Sequence, residues 1–262
     1  MKQINGIAIP SSIFRHLKNE DFHTDDIGRS DSSVLVFSDR VLKIEKTSEL
    51  SDGEYQILLW LEGKLPCPRV IAFARENGFN YLLMTRLQGK MACRCDFPEE
   101  EVSRMLAEGL RMLWKTDISD CPVRRDWSSK LAEAEMKVKS GALQGVAPNN
   151  TEFPDFESQL VYLRECKPKE EFVFSHGDYC LPNVFLSQEG VCGFLDLGRA
   201  GIADIYEDIY MCLWSMRYNF VTLGGMKEER FLKCKEIFFH ALGMKEDFEK
   251  LRLYALMDEF EV

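Results

Sequence analysis

The chain is 262 residues long, 45% apolar and carries a net charge of −10, a size that allows one large domain or two lobes with cores of their own. Residues 1–90 hold 12 basic and 12 acidic side chains, so the whole acidic excess lies beyond them; it argues against nucleic acid and suits a cationic ligand in the C-terminal part. No apolar run approaches the roughly 20 residues that cross a membrane, the start MKQINGIAIPSSIF lacks the apolar stretch of a signal peptide, and nine cysteines without a Cys-x-x-Cys indicate neither a disulfide framework nor a zinc site, so a cytoplasmic protein with no membrane partner is expected.

Up to about residue 90 the pattern is strand-rich with one helix. Val34-Leu35-Val36-Phe37 and Val41-Leu42-Lys43-Ile44 are short β-prone runs joined by the tight turn Ser38-Asp39-Arg40. Leu50 to Leu61 carries Ile57, Leu58 and Leu61 at helical spacing, and Pro66 and Pro68 close that segment off. Val70 to Ala74 and Tyr81 to Met84 read as two further strands around a turn at Asn77-Gly78. From residue 98 the chain is mostly helical. Pro98 opens a helix with Glu99, Glu100 and Glu101 in its first turn, where the macrodipole favours acids, and with Val102, Met105, Leu106, Leu110 and Leu113 on its apolar side. Gly141 to Thr151 reads as a surface loop. Phe172-Val173-Phe174 reads as a buried strand, Val184 to Leu186 and Val191 to Leu195 as a second pair, and helices over 203–217, 227–242 and 246–259 finish the chain. A small sheet lobe followed by a helical lobe leaves a cleft between them.

The segment Ser175-His176-Gly177-Asp178-Tyr179-Cys180-Leu181-Pro182-Asn183 carries the chemistry. A buried strand delivers a His-Gly-Asp turn, and Asn183 follows Asp178 at the Asp-x-x-x-x-Asn spacing of a kinase catalytic loop, where the Asp accepts the substrate hydroxyl proton and the Asn ligates Mg²⁺. Asp196-Leu197-Gly198 comes directly after an apolar strand, in the position of the second metal-binding Asp. A carboxylate and a carboxamide oxygen are hard ligands that suit Mg²⁺, and Asp178 remains to face the acceptor hydroxyl. His176 reads as scaffolding that orders the turn. Lys43 lies on the second strand of the hairpin, where a kinase places its phosphate-pairing lysine, and Glu54 on the following helix is its natural partner. Ser51-Asp52-Gly53-Glu54 also matches a capping box in which Glu54 merely closes the helix start; the downstream loop favours the ion pair. The stretch Gly28-Arg29-Ser30-Asp31-Ser32-Ser33 precedes the hairpin and, with a single glycine, reads either as a flap over the phosphates through Gly28 and Ser30 or as a simple turn.

These residues resemble the aminoglycoside 3'-phosphotransferases. The resemblance runs from about residue 40 to the end and is carried by Trp60 to Pro66, Tyr81-Leu82-Leu83-Met84, Asp117 to Pro122, Ser175 to Asn183, Gly193 to Arg199 followed by Gly201, Ala203 and Asp204, and Asp258-Glu259-Phe260. It implies an α+β, bilobal, protein-kinase-like fold: a small antiparallel-sheet lobe over residues 1–87 that binds nucleotide, and a larger, mainly helical lobe over 88–262 for catalysis and substrate. It also implies ATP or GTP as phosphoryl donor with Mg²⁺. Asp178 would be the base, Asn183 and Asp196 the metal ligands, and Lys43 with Glu54 the phosphate-positioning pair. Backbone groups around Thr85 and Leu87 would meet the purine. Arg199 would join Asp178 in the catalytic site and line the aminoglycoside pocket with Asp258 and Glu259, while Glu152 and Asp155 from the preceding loop would close over the polycationic substrate.

Some positions depart from the family pattern. Val146 to Thr151 carries no charge before Glu152, Tyr218 and Asn219 stand where acids are common, Val41 stands where some members carry an adenine-stacking aromatic, and Glu261-Val262 extend beyond Phe260. These leave the chemistry intact and bear on substrate range. A related kinase of another small alcohol and a non-catalytic nucleotide-binding regulator are the alternatives, the second opposed by the intact Lys43, Asp178, Asn183 and Asp196.

Overall fold

The structure, a computed structural model, describes residues 2–4, 7–17, 21–24 and 32–261. A hairpin of β1 (Lys2–Ile4) and β2 (Ile7–Ile9) and a one-turn helix α1 (Ser11–Phe14) lead into an antiparallel sheet. It contains β3 (His23–Thr24), β4 (Ser33–Val36), β5 (Arg40–Lys46), β6 (Val70–Glu76) and β7 (Phe79–Thr85), in the order β3-β4-β5-β7-β6. Asn77 and Gly78, with φ of 53° and 79°, supply the two left-handed residues that a tight hairpin between β6 and β7 demands. Helix α2 (Glu49–Trp60) crosses between β5 and β6.

Period-two alternation sorts the side chains of this sheet. Leu42 and Ile44 of β5, with Tyr81 and Leu83 of β7, face Ile9, Ile13 and Leu35 in one core. Leu82 and Met84 face the other way, against Ile57 and Leu58 of α2. Lys43 is in register with Leu82, so the same alternation turns it to the helix side of the sheet.

The start of α2 decides what Glu54 does. Ser48 Oγ accepts from the Ser51 amide at 3.1 Å, and Ser51 Oγ accepts from the Ser48 amide at 2.9 Å. The capping box therefore belongs to Ser48 and Ser51, and Glu54 sits further along the helix. Buried Asn80 of β7 ties this end of the helix to the sheet. Its Nδ2 donates to Ser51 Oγ and Asp52 Oδ1, each at 2.8 Å, and its Oδ1 accepts from Thr47 Oγ1 at 3.1 Å and Arg75 Nε at 3.2 Å.

Beyond the sheet run β8 (Lys90–Met91), α3 (Glu99–Trp114), α4 (Trp127–Ser140), α5 (Phe156–Glu165), β9 (Phe172–Ser175), β10 (Val184–Ser187), β11 (Gly190–Phe194), β12 (Gly201–Asp204), α6 (Ile205–Arg217), α7 (Glu228–Leu242) and α8 (Phe248–Asp258). Helix α6 continues into a π-helical turn, Tyr218–Leu223, and α8 into a 3-10 turn, Glu259–Glu261. Strands β8, β10 and β11 make a small antiparallel sheet, and β9 pairs with β12. The inner face of the first sheet, α2 and the helices share one core, in which Leu82 and Ile57 are continuous with Leu106, Phe174 and Phe238.

The helix expected over 203–217 begins later, at Ile205. Gly201 to Asp204 pair with Ser175 to Phe172, and Asp204 then caps α6 by accepting from the Tyr206 amide at 2.9 Å. Helices α4 and α5 have no counterpart among the elements read from the sequence. Helix α4 buries only Trp127 and Ala134, too few apolar positions to draw a stripe. Gly28 and Ser30 lie outside the described residues. Among the described residues, no helix is long and apolar enough to cross a membrane.

Asn80 makes four hydrogen bonds that no apolar side chain can replace. Asn80→Leu is expected to destabilise the protein by about 1–3 kcal/mol, because it removes the links from β7 to Ser51 and Asp52 and leaves the Thr47 hydroxyl without its Asn80 acceptor. A urea midpoint unchanged in the variant would show that the helix start is held by other contacts.

Candidate active site

Lys43 stands where β5 passes beneath α2. Its Nζ lies 2.7 Å from Glu54 Oε2, 3.1 Å from Asp196 Oδ1 and 3.3 Å from Glu45 Oε2. Burial would lower the Lys43 ammonium, but the charges of Glu54, Asp196 and Glu45 overcome it and hold the group above its ordinary pKa. Glu54 is 2% exposed, so its carboxylate depends on this lysine. Asp196 follows β11 in a left-handed conformation, φ 59°, which an aspartate tolerates better than a branched residue does. Crowding in the cleft works to raise its carboxyl although the side chain stays 52% exposed, and Lys43 outweighs that and keeps it below the usual carboxylate range. The turn after it packs against α2: a Cβ on Gly198 would stand 3.2 Å from the Leu50 carbonyl oxygen.

The catalytic-loop segment is fastened at several points. His176 and Gly177 direct their amides to Asp208 of α6, at 2.8 Å to Oδ2 and 2.9 Å to Oδ1. Gly177 takes φ 76° and passes so close to Arg199 that a Cβ there would lie 2.1 Å from the Arg199 carbonyl oxygen, which only glycine allows. His176 is fully buried, and burial lowers its pKa, so the ring is neutral. Its Nδ1 accepts from the Asp178 amide at 3.3 Å, which places the ring proton on Nε2 and gives His176 the scaffolding position expected of it. Tyr179 donates to the Leu106 carbonyl at 2.9 Å, in space that Gly109 leaves open, and the Leu181 amide donates to Ser215 Oγ at 2.9 Å. Asn183 Nδ2 donates to the Asp178 carbonyl and to Asp178 Oδ2, each at 3.0 Å, so one carboxylate oxygen of Asp178 is held in place.

Asp178 opens onto a pocket of about 470 Å³, a size that suits a small molecule. Arg199, Asp258, Glu259 and Glu261 line it with Trp214 and Tyr210. Arg199 is ion-paired with Glu261. Asp258 accepts from Tyr210 Oη at 3.3 Å, and Glu259 Oε2 accepts from the Asn149 amide at 3.0 Å and from Asn150 Nδ2 at 2.9 Å. Burial, helped by Glu207, pushes the Asp258 carboxyl up to about 6.

The sequence-read acids Glu152 and Asp155 are not brought to this pocket. Glu152 is bound by Arg252, with 3.0 Å from Nε to Oε2, and Asp155 caps α5 by accepting from the Ser158 amide at 2.8 Å. Asn219 turns inward, donating to the Ser215 carbonyl at 2.8 Å. Thr85 ends β7, where its Oγ1 accepts from the Arg69 amide at 2.9 Å, and Leu87 packs over Gly193 of β11, where a Cβ would come within 2.8 Å of Leu87 Cδ1. Sequence reading missed Asp208 and Lys130. Asp208 was detectable as an acid set among Ile205, Ile209 and Cys212 on the buried side of a helix. Lys130 left no local signal: it bridges Glu207 at 2.6 Å and Glu261 at 2.7 Å from elements far apart in the chain.

Comparison with known proteins gives the family and the fold. The profile of the phosphotransferase enzyme family matches residues 23–254. An aminoglycoside 3'-phosphotransferase of Enterococcus faecalis is 35% identical over 240 residues, covering 89% of this chain and 86% of that protein. An aminoglycoside-3'-phosphotransferase of type VIII superposes with a TM-score of 0.77 at 24% identity, covering 94% of this chain and 95% of that one. An aminoglycoside phosphotransferase of Streptomyces rimosus, solved in complex with ADP and streptomycin, superposes at 0.74 with 21% identity, covering 95% of this chain and 96% of its own. The bilobal α+β architecture expected from the sequence is the fold of these structures.

The two buried carboxyls make a prediction about pH. Burial also raises Asp208, to about 7, although the His176 amide favours its anion. A carboxyl whose folded pKa is raised contributes stability that is fully present below its unfolded value and is lost as pH rises through the folded one. Between an unfolded value of 3.8 and folded values of about 6 for Asp258 and about 7 for Asp208, these two groups therefore withdraw stability as pH rises and together outweigh the single buried His176, whose lowered pKa acts in the opposite sense below its ordinary 6.5. Paired surface acids such as Glu152 are shifted the other way and act below that window. Urea midpoints at pH 5 should exceed those at pH 7.5, with a smaller difference in Asp258→Asn; an equal or rising midpoint would contradict this.

Proposed function

The chain belongs to the aminoglycoside 3'-phosphotransferases of the phosphotransferase enzyme family, and on that premise we propose that it transfers the γ-phosphate of ATP to the 3'-hydroxyl of an aminoglycoside antibiotic and so confers resistance in the cytoplasm. One observation carries the reading: Asp178, set in a kinase-type loop beside the Lys43–Glu54–Asp196 cluster, also lines a pocket rich in carboxylates. An aminoglycoside is a polycation, and carboxylates in a concave site focus the field that attracts it.

In this reading residues 1–87 bind the nucleotide and 88–262 carry catalysis and substrate. Lys43, oriented by Glu54, pairs with the nucleotide phosphates, and the purine meets the backbone around Thr85 and Leu87, with Leu87 and Gly193 beneath it. Asp178 accepts the proton of the attacking hydroxyl; the Asn183 hydrogen bond keeps its carboxylate from rotating away. Asn183 and Asp196 fit Mg²⁺. The Asn183 nitrogen is engaged with Asp178, leaving its oxygen as the ligand atom, and Asp196 adds a carboxylate exposed in the cleft. Bound there, the ion neutralises charge on the transferring phosphates. Arg199 holds Glu261 at the pocket wall, and Asp258, Glu259 and Glu261 receive the ammonium groups of the substrate.

Kanamycin-dependent ADP release by the purified protein tests the reading. Asp178→Ala is expected to lower it by roughly 10²–10⁴-fold with an unchanged circular dichroism spectrum. If no aminoglycoside in a broad panel stimulates release while another small alcohol does, the substrate assignment falls. Asp196→Ala should lose Mg²⁺-dependent ATP binding in calorimetry; tight binding of Mg·ATP by that variant would overturn the metal assignment.

A further inference from the structure

Trp214 is the feature of the pocket that neither catalysis nor ion pairing uses. Helix α6 presents Tyr210, Met211 and Trp214 to the pocket, while the residues flanking Trp214 on the helix, Leu213 and Ser215, are buried. Trp214 itself is 48% exposed. Water-exposed indole on the wall of a concave site is surface that a ligand covers favourably. Its ring is also preset. Tyr218, one turn on, stacks against it with centroids 5.5 Å apart and planes 4° apart. The π-helical turn that begins at Tyr218 is joined to α6 by the hydrogen bonds of Asn219 to Ser215, at 2.8 Å to the carbonyl and 3.3 Å to Oγ. The stack is thus anchored through Ser215 to the loop that carries Asp178.

The acids of the same pocket come from a different element, the end of α8 and its 3-10 turn. A ligand in it therefore meets carboxylates from one helix and an aromatic face from another. An amino sugar answers both: its ammonium and hydroxyl groups project from the ring edge toward acids, and its C–H face and neighbouring positive charge lie over the indole, where the ring quadrupole attracts a cation. We propose that the Trp214–Tyr218 stack is the platform for a ring of the aminoglycoside, which makes Trp214 a residue that determines substrate range. The inference rests on the aminoglycoside reading given above. Rings with an unhindered C–H face are favoured, and substrates with bulky groups on that face are disfavoured.

Steady-state kinetics of the wild-type chain, Trp214→Ala and Trp214→Phe with kanamycin and ATP test it. Trp214→Ala is expected to raise the kanamycin KM roughly 5- to 20-fold, with little change in the ATP KM or the melting temperature, and Trp214→Phe to recover most of the loss because it keeps an aromatic face. Kanamycin titrated into nucleotide-free protein should change the tryptophan fluorescence of the wild type and not that of Trp214→Phe. Turnover of kanamycin with an unchanged KM in Trp214→Ala, or no recovery in Trp214→Phe, overturns the platform and leaves the function standing. Failure of the wild type to phosphorylate any aminoglycoside overturns both.

Discussion

A charge removed from water must meet an opposite charge, and in this molecule that demand falls on Glu54. Its carboxylate is almost wholly buried on the inner side of α2, and Lys43 answers it from the sheet. Losing one member of such a pair costs about 3–5 kcal/mol, so the helix and the strand cannot drift apart cheaply. The same ammonium reaches Asp196, on the turn that follows β11, and so joins the sheet to the part of the chain that carries the catalytic loop. Asn80 secures the near end of the helix from the sheet. The site is a consequence of these ties: a fixed cation with the Asp196 carboxylate beside it.

The catalytic loop is built on the opposite principle, with its strain supported from behind. Asp208 takes the two amides that the sharp His176-Gly177 turn leaves pointing into the core, and Tyr179 and Leu181 fasten the loop to α3 and α6. Asp178 can then face the pocket with one oxygen held by Asn183. Orientation is what this arrangement supplies to Asp178, and positioning is the larger part of what phosphoryl transfer asks of a protein.

Patterns that repeat along the chain were legible. Short β-prone runs marked the strands holding Leu42, Ile44 and Leu83, the Asn77-Gly78 pair marked its hairpin, and the spacing of Asp178, Asn183 and Asp196 pointed to a kinase. Contacts that close only in three dimensions were not legible. Glu152 and Asp155 are acids near the right loop, yet Arg252, a hundred positions away, takes the first and a helix start takes the second. The Ser51–Glu54 capping box stood as the rival of the favoured Lys43–Glu54 pair; Ser48 and Ser51 cap the helix themselves, which leaves Glu54 to the lysine. Helix α4 escaped notice because it fully buries only Trp127 and Ala134, too few apolar positions to draw a stripe along the sequence.

The acids around the pocket also bear on the stability of the protein. Asp178, Asp258, Glu259 and Glu261 line one pocket, where Arg199 and Lys130 pair with Glu261 and the other three carboxyls offer their charge to an entering cation. A polycation that binds this folded surface and not the unfolded chain pulls the folding equilibrium toward the native state by mass action. In a cell, where marginal chains are continually removed by proteases, such a ligand would raise the standing amount of the protein that modifies it. The charge that recognises the drug would then also set the dose of enzyme that meets it, without any change in gene expression.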